Sequence, residues 1–255
     1  MILRTFLVEE GGCASYLFGC GSRGALGVVD PHLELVDAYR AAADARGAAI
    51  AEVFDTHVHA DHPSGARALA DASGARLRLP EGAPVEFGFE PLRDGELIDM
   101  GNTHVEVLLT PGHDWAHACL VVTDTTRGDE PWLVFTGDTL FVGAVGRPDL
   151  HGDEQALAEA LERSIRERLL TLPDWVEVLP GHVGGSACGA GISSNPSSTI
   201  GFERRNNPLL ADVGGEAFVD AVLSQLQPAP REFAEIRRRN ERGGAEPAAA
   251  GRETA

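Results

Sequence analysis

The sequence predicts an α/β protein of α+β layout, with two β-sheets packed face to face and helices on the outside. Three observations carry that expectation. Short strand-like runs fall into two sets, each followed by a helical segment. Clusters of candidate ligands sit just past four of those strands. No linker rich in proline and serine interrupts the first 240 residues, which predicts one domain over residues 1–242.

The elements follow in order. "ILRTFLV", "ASYLFG" and "ALGVVD" are apolar runs separated by glycine, the pattern of short strands. "LELVDAYRAAADARG" has helical composition, with Leu35, Val36 and Tyr39 on one face and Gly47 as C-cap. "AIAEVFD" reads as a strand, and "PSGARALADASG" as a helix punctuated by proline and glycine. "HVEVLLT", "ACLVVTD" and "WLVFTG" are the next strands. In "DEQALAEALERSIRERLL", Leu157, Leu161, Ile165 and Leu169 recur every four residues, and Glu159 faces Arg163 one turn on. "WVEVLP" is the last clear strand. A long glycine- and serine-rich loop follows, then helical pieces around "EAFVDAVLSQL" and "REFAEIRRRNER". The tail at 243–255 lacks apolar pattern and is expected to be disordered.

Composition narrows the function. Of 255 residues, 43% are hydrophobic and 24% charged, enough to bury a sizeable core. The net charge of −18 repels nucleic acid and anionic membranes, so neither is expected as a partner. The four cysteines, Cys13, Cys20, Cys119 and Cys188, form no CxxC pair or disulfide framework, which suits a reducing compartment. The N-terminus lacks the apolar stretch of a signal peptide, and no run reaches the length of a membrane span. A cytoplasmic location is expected.

The chemistry concentrates at strand ends. "THVHADH" follows "AEVFD", "TPGHDWAH" follows "HVEVLL", "TGDTLF" follows "WLVF", and "PGH" at 180–182 follows "WVEVL". Residues this far apart in sequence share one site if the strand ends share one sheet edge. The candidates are His57, His59, Asp61, His62, His113, Asp138 and His182. Imidazole and carboxylate together suit zinc, iron or manganese. In an extended segment His57, His59 and Asp61 point the same way. Gly112, Gly137 and Gly181 let the backbone turn beside a ligand. Any one of these histidines alone is as well explained by ordinary hydrogen bonding; the four clusters together favour metal. His32, His104 and His151 lack such company and are expected on the surface.

The HxHxDH motif at 57–62, with His113, Asp138 and His182 downstream, resembles the metallo-β-lactamase superfamily. The resemblance implies an αββα sandwich of two mixed β-sheets flanked by helices. Within that fold two chemistries compete. One resembles glyoxalase II, in which two Zn²⁺ ions take all seven ligands and activate water to hydrolyse a thioester. The other resembles the persulfide dioxygenases, in which one Fe(II) per chain is held by His57, His113 and Asp138. His59, Asp61, His62 and His182 then surround the iron ligands, orienting them and, for His182, hydrogen-bonding substrate, or else hold a second metal.

The flanking segments favour the dioxygenase. "GDTLFVGAVGRPDL" at 137–150, "GHVGGSACGAG" at 181–191, "SSTIGFERRNNP" at 197–208 and "LSQLQPAPREFAEI" at 223–236 resemble the dioxygenase domain of bacterial dioxygenase–rhodanese fusions. That likeness runs to about residue 240, without the rhodanese part, and some fused relatives lack the histidine kept here as His62. It implies oxidation of a low-molecular-weight persulfide, such as glutathione persulfide, by O₂ to sulfite and thiol. A separate rhodanese is a possible partner, and a dimer or tetramer the expected assembly.

The same likeness puts Cys188 by the iron, as a catalytic thiol able to carry sulfane sulfur; the alternative is a buried structural cysteine. Arg147 either binds an anionic substrate or anchors its loop through Asp149. Arg205, with Arg204, is a candidate for the carboxylates of a thiol cofactor, the alternative being a solvated helix face. His117 borders the pocket, and Cys13, Cys20 and Cys119 are expected in the core.

Overall fold

The computed structural model describes residues 1–21, 25–211 and 214–243. Most of the tail expected to be disordered, from residue 244 on, lies outside the described residues.

Among the described residues, β1 (Ile2–Val8), β2 (Cys13–Cys20), β3 (Ala25–Val29), β4 (Ala49–Phe54), β5 (Arg76–Pro80) and β6 (Glu90–Leu92) form one sheet in chain order. The first two pairings are antiparallel, and β3 to β6 run parallel. The second sheet contains β7 (Leu97–Asp99), β8 (Thr103–Leu109), β9 (Ala118–Asp124), β10 (Leu133–Gly137), β11 (Glu177–Pro180) and β12 (Ser198–Thr199). Only β10 and β11 pair in parallel there.

Alternation within strands builds the layers. Tyr16 and Phe18 of β2 and Phe54 of β4 meet Val105, Val107, Leu120, Leu133 and Phe135 between the sheets. Leu17 and Val53, on the opposite face, pack under α1 (Val36–Asp44) and α2 (Ala66–Ser73). Leu108, Val134 and Val178 face outward beneath α3 (Glu154–Ser164) and α5 (Glu216–Ser224). This is the expected sandwich of two mixed sheets flanked by helices. Leu157, Leu161, Ile165 and Leu169 are all fully buried, because a π-type turn over Ile165–Leu169 prolongs α3.

Among the described residues, the strands β5, β6, β7 and β12 were not anticipated, nor were the bounds of α4 (Ile200–Asn206), the helix that carries Arg204 and Arg205. β6, β7 and β12 span three residues or fewer, too few for a periodic signal. β5, "RLRLP", carries arginines because Glu52 of β4 is fully buried beside it. Arg78 Nε donates to that carboxylate at 2.8 Å, and Arg76 also contacts it. Arg78 is buried with that carboxylate, while Arg76 covers it from the half-exposed side. α6 (Phe233–Glu241) ends the described chain. Among the described residues, no helix is long and apolar enough to cross a membrane.

β8, β10 and β11 run in the same direction, so their C-terminal ends share one edge. At that edge the sheets are stitched together. Ala118 N donates to Thr56 O at 2.9 Å, Ala14 N to Gly181 O at 2.8 Å, and Tyr16 Oη to Pro180 O at 2.8 Å.

Phe135 packs on both Tyr16 and Phe18, with ring centroids 5.0 and 4.9 Å away. Phe135→Ala is therefore expected to cost about 3–5 kcal/mol, read as a lower urea midpoint with an unchanged slope. A loss under about 1 kcal/mol would contradict this packing.

Candidate metal centre

The centre is organised from a residue the sequence reading passed over. Asp30 ends β3 with φ of 49°, a left-handed conformation that aspartate tolerates better than most residues. Its buried carboxylate accepts hydrogen bonds from Thr56 N at 2.7 Å and Thr56 Oγ1 at 2.9 Å. Having donated its only hydroxyl proton to Asp30, Thr56 Oγ1 accepts from His57 Nδ1 at 3.0 Å. That assigns the proton to Nδ1 and leaves the lone pair of His57 Nε2 bare. His113 repeats the logic: its Nδ1–H donates to Arg147 O at 2.8 Å.

Asp138 completes the set. Its Oδ1 accepts from His182 Nδ1 at 2.7 Å, and its Oδ2 has no partner. His57 Nε2, His113 Nε2 and Asp138 Oδ2 are thus buried polar atoms without hydrogen bonds. They also converge, since Oδ2 lies 3.9 Å from His57 Nε2 and 3.5 Å from His113 Nε2. Ligands about 2.1 Å from a shared ion stand at separations of this order. Leaving three such atoms dry and unpaired is costly, so the residues fit a metal ion. The donor set, two imidazoles and one carboxylate, is that of a facial triad.

Electrostatics agree with this arrangement. Burial, reinforced by the neighbouring histidines His59, His113 and His117, holds His57 well below the usual imidazole range. It is therefore neutral, the form that binds metal. Burial opposes charge on Asp138, but His182 and His113 outweigh it and bring the carboxyl down to about 2. Two glycines make room for these contacts. Gly137 has φ of 48°, and a Cβ there would lie 2.7 Å from His117 Nε2. At Gly181 close approach is the reason, because a Cβ would stand 2.7 Å from Asp138 Oδ1.

The remaining motif residues do not join the triad. Residues 57–62 are bent rather than extended, so His59 and Asp61 do not point with His57 as expected. His59 Nε2 turns to Asp30 Oδ1 at 3.2 Å and Asp55 Oδ1 at 3.8 Å. Asp61 Oδ2 lies 2.8 Å from His182 Nε2 and 3.0 Å from His62 Nδ1. His182 therefore bridges two carboxylates with both nitrogens. Cys13, expected to be plain core, is buried but places its thiol 3.4 Å from Asp61 Oδ2 and 3.8 Å from His62 Nδ1. The ligand atoms of Cys13, Asp61, His62 and His182 lie within 4.8 Å of one another, a second set able to hold a cation.

Cys188 comes to the site, its sulfur within 4.8 Å of ligand atoms of Asp138 and His182. The glycine-rich loop does bury it, against Ala60, Phe141, Ala144 and Phe233. Burial pushes its thiol well above the ordinary range. Arg147 is buried, with Nε and Nη2 on Asp149 at 2.7 and 2.8 Å and further bonds to Ala187 O and Gln227 O. Its side chain does what the loop-anchor alternative describes. Arg205 and Arg204 pair with Asp174, three residues ahead of β11 and thus at the end of that strand away from His182. The structure does not bring Arg205 to the triad.

His117 orients a ligand: its Nε2 accepts from Asp138 N at 3.1 Å. Of the histidines expected on the surface, His104 is exposed. His32 is buried, its ring stacked 4.9 Å from His62, because Pro31 turns the chain back over the motif loop. His151 is drawn inward by Arg237, whose Nη1 lies 2.8 Å away. Asp30 was recoverable from the strand-end rule, since it closes "ALGVVD" as Asp138 follows "WLVFTG". Cys13 carried no such signal.

If Thr56 sets the His57 tautomer, Thr56→Val lowers metal affinity about 10–100-fold in competition with a chelator. Wild-type affinity in that variant would remove the Asp30–Thr56–His57 relay from the account.

Comparison with known proteins agrees with the geometry. Residues 8–182 match the Metallo-beta-lactamase superfamily. The mitochondrial persulfide dioxygenase ETHE1 of Bos taurus is 27% identical over 236 residues, covering 91% of this chain and 85% of that protein. A hydroxyacylglutathione hydrolase of Polaromonas sp. is 35% identical over 173 residues, covering 66% and 61% respectively. The crystal structure of ETHE1 from Myxococcus xanthus superposes with a TM-score of 0.83 at 29% identity, covering 94% of this chain and 98% of that one. A sandwich of two mixed sheets, its ligands gathered at one edge, and a match over more than half its length make this chain a member of the metallo-β-lactamase superfamily.

Proposed function

We propose that this chain is a persulfide dioxygenase with one Fe(II), held by His57, His113 and Asp138. One observation carries the reading. His57 Nε2, His113 Nε2 and Asp138 Oδ2 converge without hydrogen bonds, while both nitrogens of His182 are engaged by carboxylates and His59, whose Nδ1 is bare, is held by Asp30 through Nε2. A dinuclear hydrolytic centre draws on both His59 and His182; a facial triad needs neither. The ETHE1 proteins of Bos taurus and Myxococcus xanthus, aligned over more than nine-tenths of this chain, support the same choice.

When bound, Fe(II) supplies a redox step and open coordination positions, which zinc does not combine. The chain's residues supply the rest. Asp30 through Thr56, and the Arg147 carbonyl, hold the two imidazoles in the metal-binding tautomer. His182 holds Asp138 through Oδ1 and so turns Oδ2 to the metal. The burial of all three ligands excludes bulk water from the reacting atoms. Cys188 borders Asp138 and His182, and in this proposal its thiol meets the substrate sulfur. Overall, a low-molecular-weight persulfide, O₂ and water give sulfite, the free thiol and protons. The same proposal includes a separate rhodanese as sulfur donor and a dimer or tetramer as the assembly.

A second reading, thioester hydrolysis with two zinc ions, rests on the set formed by Cys13, Asp61, His62 and His182, where His62 Nε2 is also bare. It requires His182 Nε2 to exchange its contact with Asp61 for a metal, its Nδ1 staying on Asp138.

Protein purified without oxygen is expected to hold about one iron per chain and to consume O₂ when given glutathione persulfide. His113→Ala abolishes both. Two zinc ions per chain, rapid cleavage of a lactoyl thioester and no oxygen uptake would establish the hydrolase instead.

A further inference from the structure

The loop between β4 and α2, residues 55–65, contains four of the motif ligands and neither strand nor helix. Several of its carbonyls are held by side chains from the far end of the chain. Asn240 of α6 donates through Nδ2 to His59 O at 2.8 Å and His62 O at 2.9 Å, and its Oδ1 accepts from Ser64 N at 3.0 Å. Asn240 is buried, and both amide hydrogens and the oxygen are engaged. One turn earlier, Arg237 Nη1 reaches Val58 O at 3.0 Å and Asp114 Oδ2 at 2.6 Å. Residues three apart share a helix face, so one side of α6 faces both groups.

Asp114 belongs to the other histidine loop. It follows His113 directly, and its Oδ1 accepts from Ala116 N at 3.2 Å. Arg237 therefore ties the segment carrying His57 to the segment carrying His113, while Asn240 pins the rest of the motif. We infer that α6 is a clasp that sets the spacing of the two histidine loops, with Arg237 and Asn240 as its positioning residues. Metal sites tolerate displacement of their ligands by only about 0.5 Å, and the loop has no ladder of its own to hold that spacing. The inference concerns metal retention and stands whichever reaction the centre performs.

The test is titration of the metal-free full chain with Co(II), following both affinity and the visible spectrum of the bound ion. Asn240→Ala and Asn240→Asp are each expected to weaken Co(II) by about 10-fold or more and to alter the spectrum. Aspartate keeps the size but turns oxygen lone pairs toward the His59 and His62 carbonyls, so it removes both donated hydrogen bonds without removing volume, and the Phe218→Leu control separates that loss from general destabilisation. Arg237→Lys, which keeps a charged donor, recovers part of the affinity lost in Arg237→Met. Phe218→Leu, on the buried face of α5 in the outer core, lowers stability yet leaves affinity and spectrum unchanged. The inference is overturned if Asn240→Asp binds Co(II) as tightly as wild type with the same spectrum. It is equally overturned if Phe218→Leu weakens binding as much as Asn240→Ala.

Discussion

The carboxylate of Asp30 is the fixed point of the site. Buried at the end of β3, it takes three groups from the motif loop: the Thr56 amide, the Thr56 hydroxyl and the His59 ring. Those bonds decide which proton His57 carries and which way His59 faces. A neutral imidazole offers one lone pair, and a hydrogen bond at Nδ1 determines that Nε2 presents it. One carboxylate at the end of β3 thereby fixes both rings, leaving His57 Nε2 and His59 Nδ1 as their unpartnered nitrogens.

The fold supplies the other half by geometry. Two antiparallel pairings through β9 and one parallel pairing of β10 with β11 bring β8, β10 and β11 to an end at one edge, and each end carries a ligand segment. Close approach there excludes any side chain at Gly181, next to Asp138 Oδ1. The candidate ligands thus sit in loops just past strand ends, and the loop carrying His57 is braced by Asp30 from one side and α6 from the other. Rigid support of this kind suits a centre whose donors must stay unpaired until an ion arrives.

Much of this was legible in the sequence. Apolar runs at the strand period marked eight of the strands, and every triad residue stood just past one of them. The unread parts share a physical cause: a side chain's role depends on a partner remote in sequence. "RLRLP" hid a strand because its arginines neutralise buried Glu52, 24 and 26 residues away. Cys13 looked like core until the bridge between residues 13 and 182 brought it to Asp61. Asn240 lies in a polar helix whose periodicity says nothing of the loop it grips, more than 170 residues earlier. Arg205 shows the reverse error, where a suggestive motif met a local partner, Asp174, at the wrong end of β11.

The proposed function requires one ion on His57, His113 and Asp138 while both nitrogens of His182 stay on carboxylates. Anomalous scattering from crystals of oxygen-free, metal-loaded protein, recorded at the iron and zinc edges, tests it most directly. The expected result is a lone iron peak bonded to His57 Nε2, His113 Nε2 and Asp138 Oδ2, with His182 still bridging Asp61 and Asp138. Two neighbouring zinc peaks, with His59 and His182 among their ligands, would overturn the proposal.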